Sequence, residues 1–505
     1  MPKRNSKASV SAGFDYVKFG KSVAKIHKYW ARKPAMPVSQ LIKKYSRAGD
    51  LVLDPFCGSG TIGIESIALN RNYRGFDLNP MAIRIAEICT NPIVEVSQIR
   101  EAHEALNSLI GDKIMDLYRV GDEYSMYTIV LENGNVESML CDRKFGSKRR
   151  VIEAVGPVER NPIKIESPFG EREFPEKFYK DRFTSKGLRR ISDFYTTRNL
   201  NAIEMISHAL ENISNPAREY LQIALSNSLL HLSKLKSKNI RPLSVNSFWL
   251  PKDPVEENAW WRFSERVNGL IQGLTAIRER FDTLEISGKA EISRQSALEM
   301  TNIRDKSIDY IFTDPPYGDV IQYSELSFIW NSFLGEEYEN LEEFIVNPVQ
   351  RKDEDFFLDQ LSKFFLECNR VLKPGKYFTL CFHNRHPYIW ISAAKSLYNA
   401  GFALEGIQTF PFVGNTYNKT WSKFSPKSDV YLTVKKTEKK THSEGDFINL
   451  EDILKKTAKT AQGTPGETYD KFVENALIAI FNGSDITVGK SFTLERLLED
   501  VFREK

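Results

Sequence analysis

The run Leu51-Val52-Leu53-Asp54-Pro55-Phe56-Cys57-Gly58-Ser59-Gly60-Thr61 constrains the fold more than any other feature: a short apolar strand passes directly into a glycine-rich turn and then a helix through Ile62–Leu69. Glycine permits a tight turn and close backbone approach to a ligand, and the unpaired N–H groups of a helix N-terminus suit an anionic or polar group. No Gly-Lys-Ser/Thr follows, so this is not a P-loop, and the glycines lack the Gly-x-Gly-x-x-Gly spacing of dinucleotide sites. The next apolar run, Tyr73–Asp77, ends in an acid placed to hold a pair of ribose hydroxyls. Pro80 then suits the first turn of a further helix. This alternation is the opening of a doubly wound α/β sheet.

The same alternation resumes over 290–434, with strands expected at Ala290–Arg294, Ile308–Thr313, Lys376–Phe382, Phe402–Thr409 and Val430–Val434, about seven strands in all. Residues 99–288 do not continue it. Over Tyr127–Glu173 apolar and polar residues alternate, broken by Asn133-Gly134-Asn135 and Gly156-Pro157, the pattern of a small β-rich module. Leu188–Phe194, Ala202–Ile213, Pro216–Leu235 and Ala259–Phe281 carry helical spacing. The 505 residues therefore divide into 1–98 and 289–436, the two parts of one α/β domain, an inserted domain at 99–288, and 437–505, a polar linker with a helical tail.

Composition removes several classes. With 41% hydrophobic and 27% charged residues and no apolar run near the ~18 residues of a membrane span, the chain reads as soluble and cytoplasmic, with no membrane partner. Its basic start is followed by no apolar segment, so no secretory signal is expected. Cys57, Cys89, Cys141, Cys368 and Cys381 form no Cys-x-x-Cys pair for zinc or redox exchange. His383 and His386 form a His-x-x-His that does not by itself make up a metal-ligand set, so no metal is expected. From Lys3 to Arg47 twelve basic residues face only Asp15, a segment suited to a phosphate backbone or to solvent.

A second chemical signal follows a buried strand: Ile308-Asp309-Tyr310-Ile311-Phe312-Thr313-Asp314-Pro315-Pro316-Tyr317-Gly318. Two prolines remove two N–H donors and stiffen the loop, which leaves carbonyl oxygens free to face a site. A carboxylate beside such a carbonyl can accept both hydrogens of an amino group, and an adjacent tyrosine can stack on a planar base.

Together, Asp54-Pro-Phe-Cys-Gly-Ser-Gly-Thr61 and Asp314-Pro-Pro-Tyr317 resemble the S-adenosylmethionine loop and the catalytic loop of DNA amino-methyltransferases, enzymes of adenine N6 or cytosine N4. His27-Lys-Tyr-Trp-Ala-Arg-Lys33-Pro34 is similar to the segment flanking the donor's methionine in that family, and Tyr73-Arg-Gly-Phe-Asp77-Leu-Asn79-Pro80 to its ribose-binding strand. The resemblance covers about 20–90 and 290–434, not the insertion or the tail. It implies a seven-stranded Rossmann-like methyltransferase sheet interrupted by a mixed β/helical insertion. S-adenosyl-L-methionine would be held by His27, Lys33, Pro34, Asp54, Pro55, Phe56, Gly58, Gly60, Thr61, Asp77 and Asn79, with Ser296 where many members carry an acid. Asp314, Pro315, Pro316 and Tyr317 would be catalytic, acting on a base flipped from duplex DNA. Many cytosine N4 enzymes have serine in place of Asp314, so adenine N6 is the leading target, with cytosine N4 or an RNA base as alternatives. No Pro-Cys dipeptide is present for cytosine C5 chemistry. Arg189, Arg190, Arg198, Lys234, Lys236, Lys238 and Arg241 of the insertion are candidate DNA contacts for target recognition. A cognate restriction or phage-defence partner is a family-level expectation.

Overall fold

The computed structural model describes residues 14–487 except 121–122, 131–135, 143–149, 153–166, 176–177, 181–182, 214–215, 238–241, 243–246, 283–287, 337–342, 383, 385, 412–427, 438–446 and 461–464. Lys3, Arg4, Lys7, Lys238, Arg241, His383, much of the expected β-rich module and most of the linker therefore lie outside the described residues.

Seven strands form the central sheet: β1 (Leu51–Asp54), β2 (Asn72–Asp77), β3 (Ala290–Arg294), β4 (Ile308–Thr313), β5 (Leu372–Cys381), β6 (Phe402–Pro411) and β7 (Ser428–Lys436). Their order is β6-β7-β5-β4-β1-β2-β3. The pairs from β3 to β5 are parallel, whereas β7 runs antiparallel to both β5 and β6. This is the seven-stranded Rossmann-like methyltransferase sheet. Val52, Leu53, Ile308, Tyr310, Ile311 and Phe312 are completely buried, as a parallel strand covered on both faces requires. The strand order reverses between β1 and β4, and in such sheets ligands bind outside the carboxyl ends of the strands at that switch.

Twelve helices are used below: α1 (Tyr16–Val23), α2 (Ala35–Tyr45), α3 (Thr61–Ala68), α4 (Pro80–Thr90), α5 (Val96–Leu106), α6 (Thr197–Leu210), α7 (Ala217–Leu232), α8 (Ala259–Asp282), α9 (Glu354–Val371), α10 (Pro387–Asn399), α11 (Leu450–Thr460) and α12 (Pro465–Phe481). One core joins Val23, Ile26, Trp30, Met81 and Ile85 to Leu221, Leu225, Phe263 and Leu270 of α7 and α8 and to Trp330. The inserted helices thus share their apolar interior with the first part of the sheet domain. On the opposite side, Leu53, Phe76 and Ile311 pack with α9 and α10 and with Leu454 and Phe472 of the last two helices.

The structure corrects three local expectations. Leu188–Phe194 is not an α-helix: Arg190 makes a bridge to Glu173 and only Ile191–Phe194 forms a 3-10 turn. Asp193 accepts from the Arg189 and Arg190 N–H groups, offering the backbone an alternative to the helix. The chain after β7 is not purely helical, because Phe447–Asn449 and Asp485–Thr487 pair in parallel beside α11 and α12. Finally, β5 begins before Lys376, at Leu372, with its register interrupted around the positive-φ Gly375.

No helix among the described residues is long and apolar enough to cross a membrane. At Gly273 α8 lies close against the segment leading to the site: an added Cβ would clash with Ile26 Cγ1 and lie 3.0 Å from the Ser22 carbonyl. Alanine in a helix interior is ordinarily about 1 kcal/mol better than glycine. Here Gly273→Ala is expected to destabilise the protein by about 1–3 kcal/mol through overpacking, read as a lowered urea midpoint; a raised midpoint would show that α8 does not press on Ile26.

Candidate active site

The glycine turn leaves β1 at the switch point. Gly58 and Gly60 have φ of +48° and +79°, conformations that side-chain-bearing residues rarely adopt. A Cβ on Gly60 would also sit 3.1 Å from the Ala86 Cα, so this glycine admits α4 as well as the turn. The turn is fastened to the end of β2: Cys57 N–H donates to the Phe76 carbonyl at 2.8 Å and Gly58 N–H to Asp77 Oδ2 at 3.0 Å. Asn79 N–H donates to the other Asp77 oxygen at 2.9 Å, so backbone donors hold the carboxylate at the edge of the cleft.

A cleft of about 870 Å³ including its open mouth lies between this turn and the loop after β4. Lys33, Asp54, Pro55, Phe56, Gly58, Thr61, Asp77, Ser296, Asp314 and Pro316 line it, bringing both sequence motifs into one chamber. His27, Pro34, Gly60, Asn79, Pro315 and Tyr317 are not among its lining residues. His27 is completely buried, with Nδ1 2.8 Å from the Lys28 carbonyl, Nε2 3.1 Å from Ser226 Oγ, and its ring edge-on to Trp330. Burial lowers its pKa to about 3, so the ring is neutral and anchors its segment to α7. Pro34 and Gly60 occupy the N-cap positions of α2 and α3. Asn79 caps α4, accepting from Met81 N–H at 3.1 Å and donating to the Tyr29 hydroxyl at 3.3 Å.

Tyr29, Gln295, Tyr323 and Glu343 also line the cleft. Tyr29 stands in the segment 27–34 but with no periodicity to show which way it faces, and Tyr323, stacked on it at 6.2 Å, lies beyond the catalytic loop. Glu343, with its carboxylate held by Ser324 Oγ at 2.6 Å, lies beyond both motifs and carried no signal.

Burial shapes the electrostatics. Asp54 accepts from Thr313 Oγ1 at 2.6 Å, Tyr73 OH at 3.2 Å and Phe56 N–H at 3.2 Å, yet burial still pushes its pKa up to about 7. Burial likewise raises Asp77 to about 6 and Glu343 to about 7. Beside them Lys33 Nζ lies 3.1 Å from Asp314 Oδ2 and donates to the Tyr317 hydroxyl at 2.8 Å, while that hydroxyl donates to Asp314 Oδ1. Burial works against the Lys33 ammonium, but Asp314 above all, with Cys381, Asp429 and Tyr431, holds its pKa well above the ordinary value. Burial raises Asp314, opposed by Lys33 and the Tyr317 hydrogen bond. Among the described residues no group of three or more His, Cys, Asp or Glu is gathered to hold a metal.

A cleft this rich in buried carboxyls favours a cation over an anion, and S-adenosylmethionine, with its sulfonium and ammonium, fits it. Asp54 and Asp77 are partly protonated near pH 6 and are better partners for a cation and for hydroxyls when ionised. Donor affinity is therefore expected to rise roughly tenfold between about pH 5.5 and 8, followed by calorimetry; a constant Kd would mean that neither carboxyl faces the donor.

Residues 3–88 match the N6_N4_Mtase family, described as DNA methylase. The Type II methyltransferase M.MvaI of Kocuria varians is 24% identical over 403 residues, 68% of this chain and 74% of the relative. M.HinfI of Haemophilus influenzae is 33% identical over 133 residues, 23% of this chain and 36% of the relative. M2.MboI of Moraxella bovis is 44% identical over 50 residues, 10% of this chain and 18% of the relative. The chain thus spans about three quarters of the first and no more than about a third of the other two. The family match on the donor-loop half, relatives of one kind, and a seven-stranded sheet that presents both loops to one cleft make the chain similar to DNA amino-methyltransferases, with a cleft suited to S-adenosylmethionine as methyl donor.

Proposed function

We propose that this protein methylates adenine N6 in duplex DNA. The observation that carries the reading is the opening of Asp314 and Pro316 into the same cleft as Asp54, Phe56, Gly58 and Asp77. S-adenosylmethionine, when bound, supplies a methyl group already activated by its sulfonium. Asp77 accepts the ribose hydroxyls, the carboxyls of Asp54 and Glu343 stabilise the cationic end, and Ser296 stands where the adenine ring of the donor is read. At the other end Asp314 and the Pro315 carbonyl accept hydrogens from the target amine, freeing its lone pair from the ring and aiming it at the methyl carbon. The amine nitrogen gains the N–C bond as C–S breaks, a neutral thioether leaves, and one amine hydrogen departs as a proton. Tyr317 holds the flipped base by stacking once its hydroxyl leaves Asp314. The aspartate at 314, where serine is frequent in cytosine N4 enzymes, favours adenine.

Target recognition falls to residues 99–288. Several cations nominated there are already engaged within the protein: Arg198 with Glu256, Lys236 with Glu257, Arg190 with Glu171 and Glu173, and Lys234 with the Asp193 carbonyl. Base reading is therefore assigned to other groups of this region. The Type II names of the relatives support a restriction-modification setting; a cytoplasmic location and a cognate restriction or phage-defence component are part of the proposal.

Incubation with labelled S-adenosylmethionine and duplex DNA, single-stranded DNA or transfer RNA, followed by nucleoside mass spectrometry, tests the reading. N6-methyladenine from duplex DNA is expected. Asp314→Ala is expected to lower the rate by about 100- to 1,000-fold while donor affinity stays within about threefold. N4-methylcytosine, or product from RNA alone, would overturn the assigned target.

A further inference from the structure

Lys33 stands in a segment that family likeness assigns to the donor, but its ammonium points elsewhere. It is 3.1 Å from Asp314 Oδ2, donates to the Tyr317 hydroxyl at 2.8 Å, and lies 5.2 Å from the centre of the Tyr317 ring. The Tyr317 hydroxyl closes the triangle by donating to the second Asp314 oxygen. Only 9% of the Lys33 side chain and 14% of the Asp314 side chain are exposed, so solvent screens the pair weakly. The backbone holds the lysine in place, since Ala31 bends the chain at φ +52°, Arg32 donates to the His27 carbonyl at 3.4 Å, and α2 begins two residues after Lys33.

We propose that Lys33 is a positioning residue for the methyl-accepting end of the site, holding Asp314 as an ionised, oriented acceptor and so setting the cleft to read an exocyclic amine. The inference rests on the amine methylation proposed above. A buried carboxyl with no cation beside it tends to take up a proton and become a donor. An ionised carboxylate only accepts, so it pairs with a base N–H group and repels a carbonyl oxygen. The triangle also supplies an order of events. Tyr317 and a target amine compete for Oδ1, so an arriving amine takes that oxygen while Lys33 keeps Oδ2, releasing the tyrosine ring to move onto the base.

Charged and titratable groups reach this triangle from every side: Asp54 from the end of β1, Tyr323 after the catalytic loop, Cys381 from β5, and Asp429 and Tyr431 from β7. Apart from Lys33, all of these are acids or neutral hydroxyl and thiol groups. Removal of the lysine charge should therefore let burial and the neighbouring carboxyls raise Asp314 further.

The test uses the full chain with Lys33→Met and Lys33→Arg, measuring donor affinity by calorimetry and single-turnover methylation of duplex DNA across pH. Lys33→Met is expected to keep donor affinity within about threefold, to slow methylation by up to about 100-fold, and to move the acid limb of the rate profile up by about one pH unit. Lys33→Arg is expected to restore part of both rate and limb. A tenfold or greater loss of donor affinity with an unmoved acid limb would show that the lysine serves the donor and overturn the proposal, as would an unchanged rate and limb. A wild-type chain that binds the donor yet methylates no amine-bearing DNA would overturn the parent reading and this inference with it.

Discussion

Thr313 donates its hydroxyl to Asp54 at 2.6 Å, tying together the carboxyl ends of the two central strands where their order reverses. The next residues on each side, Pro55 and Asp314, begin the two loops that form the cleft. Because both strands are buried on both faces, neither end can drift without disturbing packing on two sides of the sheet. A rigid layer thus fixes the relative placement of two irregular loops, and precision at the site is inherited from strand register rather than from loop stiffness.

The same junction explains the unusual charge of the cleft. Burial of Asp54, Asp77 and Glu343 lifts all three carboxyls toward neutrality. The Lys33 ammonium does not relieve them, because its closest carboxylate is Asp314. One half of the chamber is therefore rich in buried carboxyls, whereas at the other Asp314 is paired with Lys33. In the proposed reaction a cationic donor and a neutral amine would divide along that line, each meeting the half whose electrostatics it completes.

Much of this was legible in the sequence. The runs 51–54 and 308–313 coincide with their strands because doubly covered strands are written as largely apolar stretches, and 290–294, an edge strand with exposed Glu291 and Arg294, coincides as well. The glycine turn was legible because glycine adopts φ of +48° and +79° without the strain that side-chain-bearing residues meet there. The segment 27–33 was harder: with no period, its letters do not say that His27 turns inward to Ser226 while Tyr29 and Lys33 face the cleft. Leu188, Ile191 and Phe194 have helical spacing, but the short-range competition of Asp193 for backbone N–H groups decided the local shape. Glu343 reaches the site through tertiary folding alone, which no local pattern encodes.

The union of the inserted helices with the cleft wall has a practical corollary. His27 contacts Ser226, Asn227 reaches the carbonyls of Lys25 and Ile26, and Gly273 allows α8 to lie against Ile26, all within a few residues of Lys33. The insertion is therefore not a detachable cassette. A chimera that exchanges residues 99–288 for those of another relative would replace the struts of its own catalytic wall, unless Ser226, Asn227 and the small residue at 273 travel with the recipient.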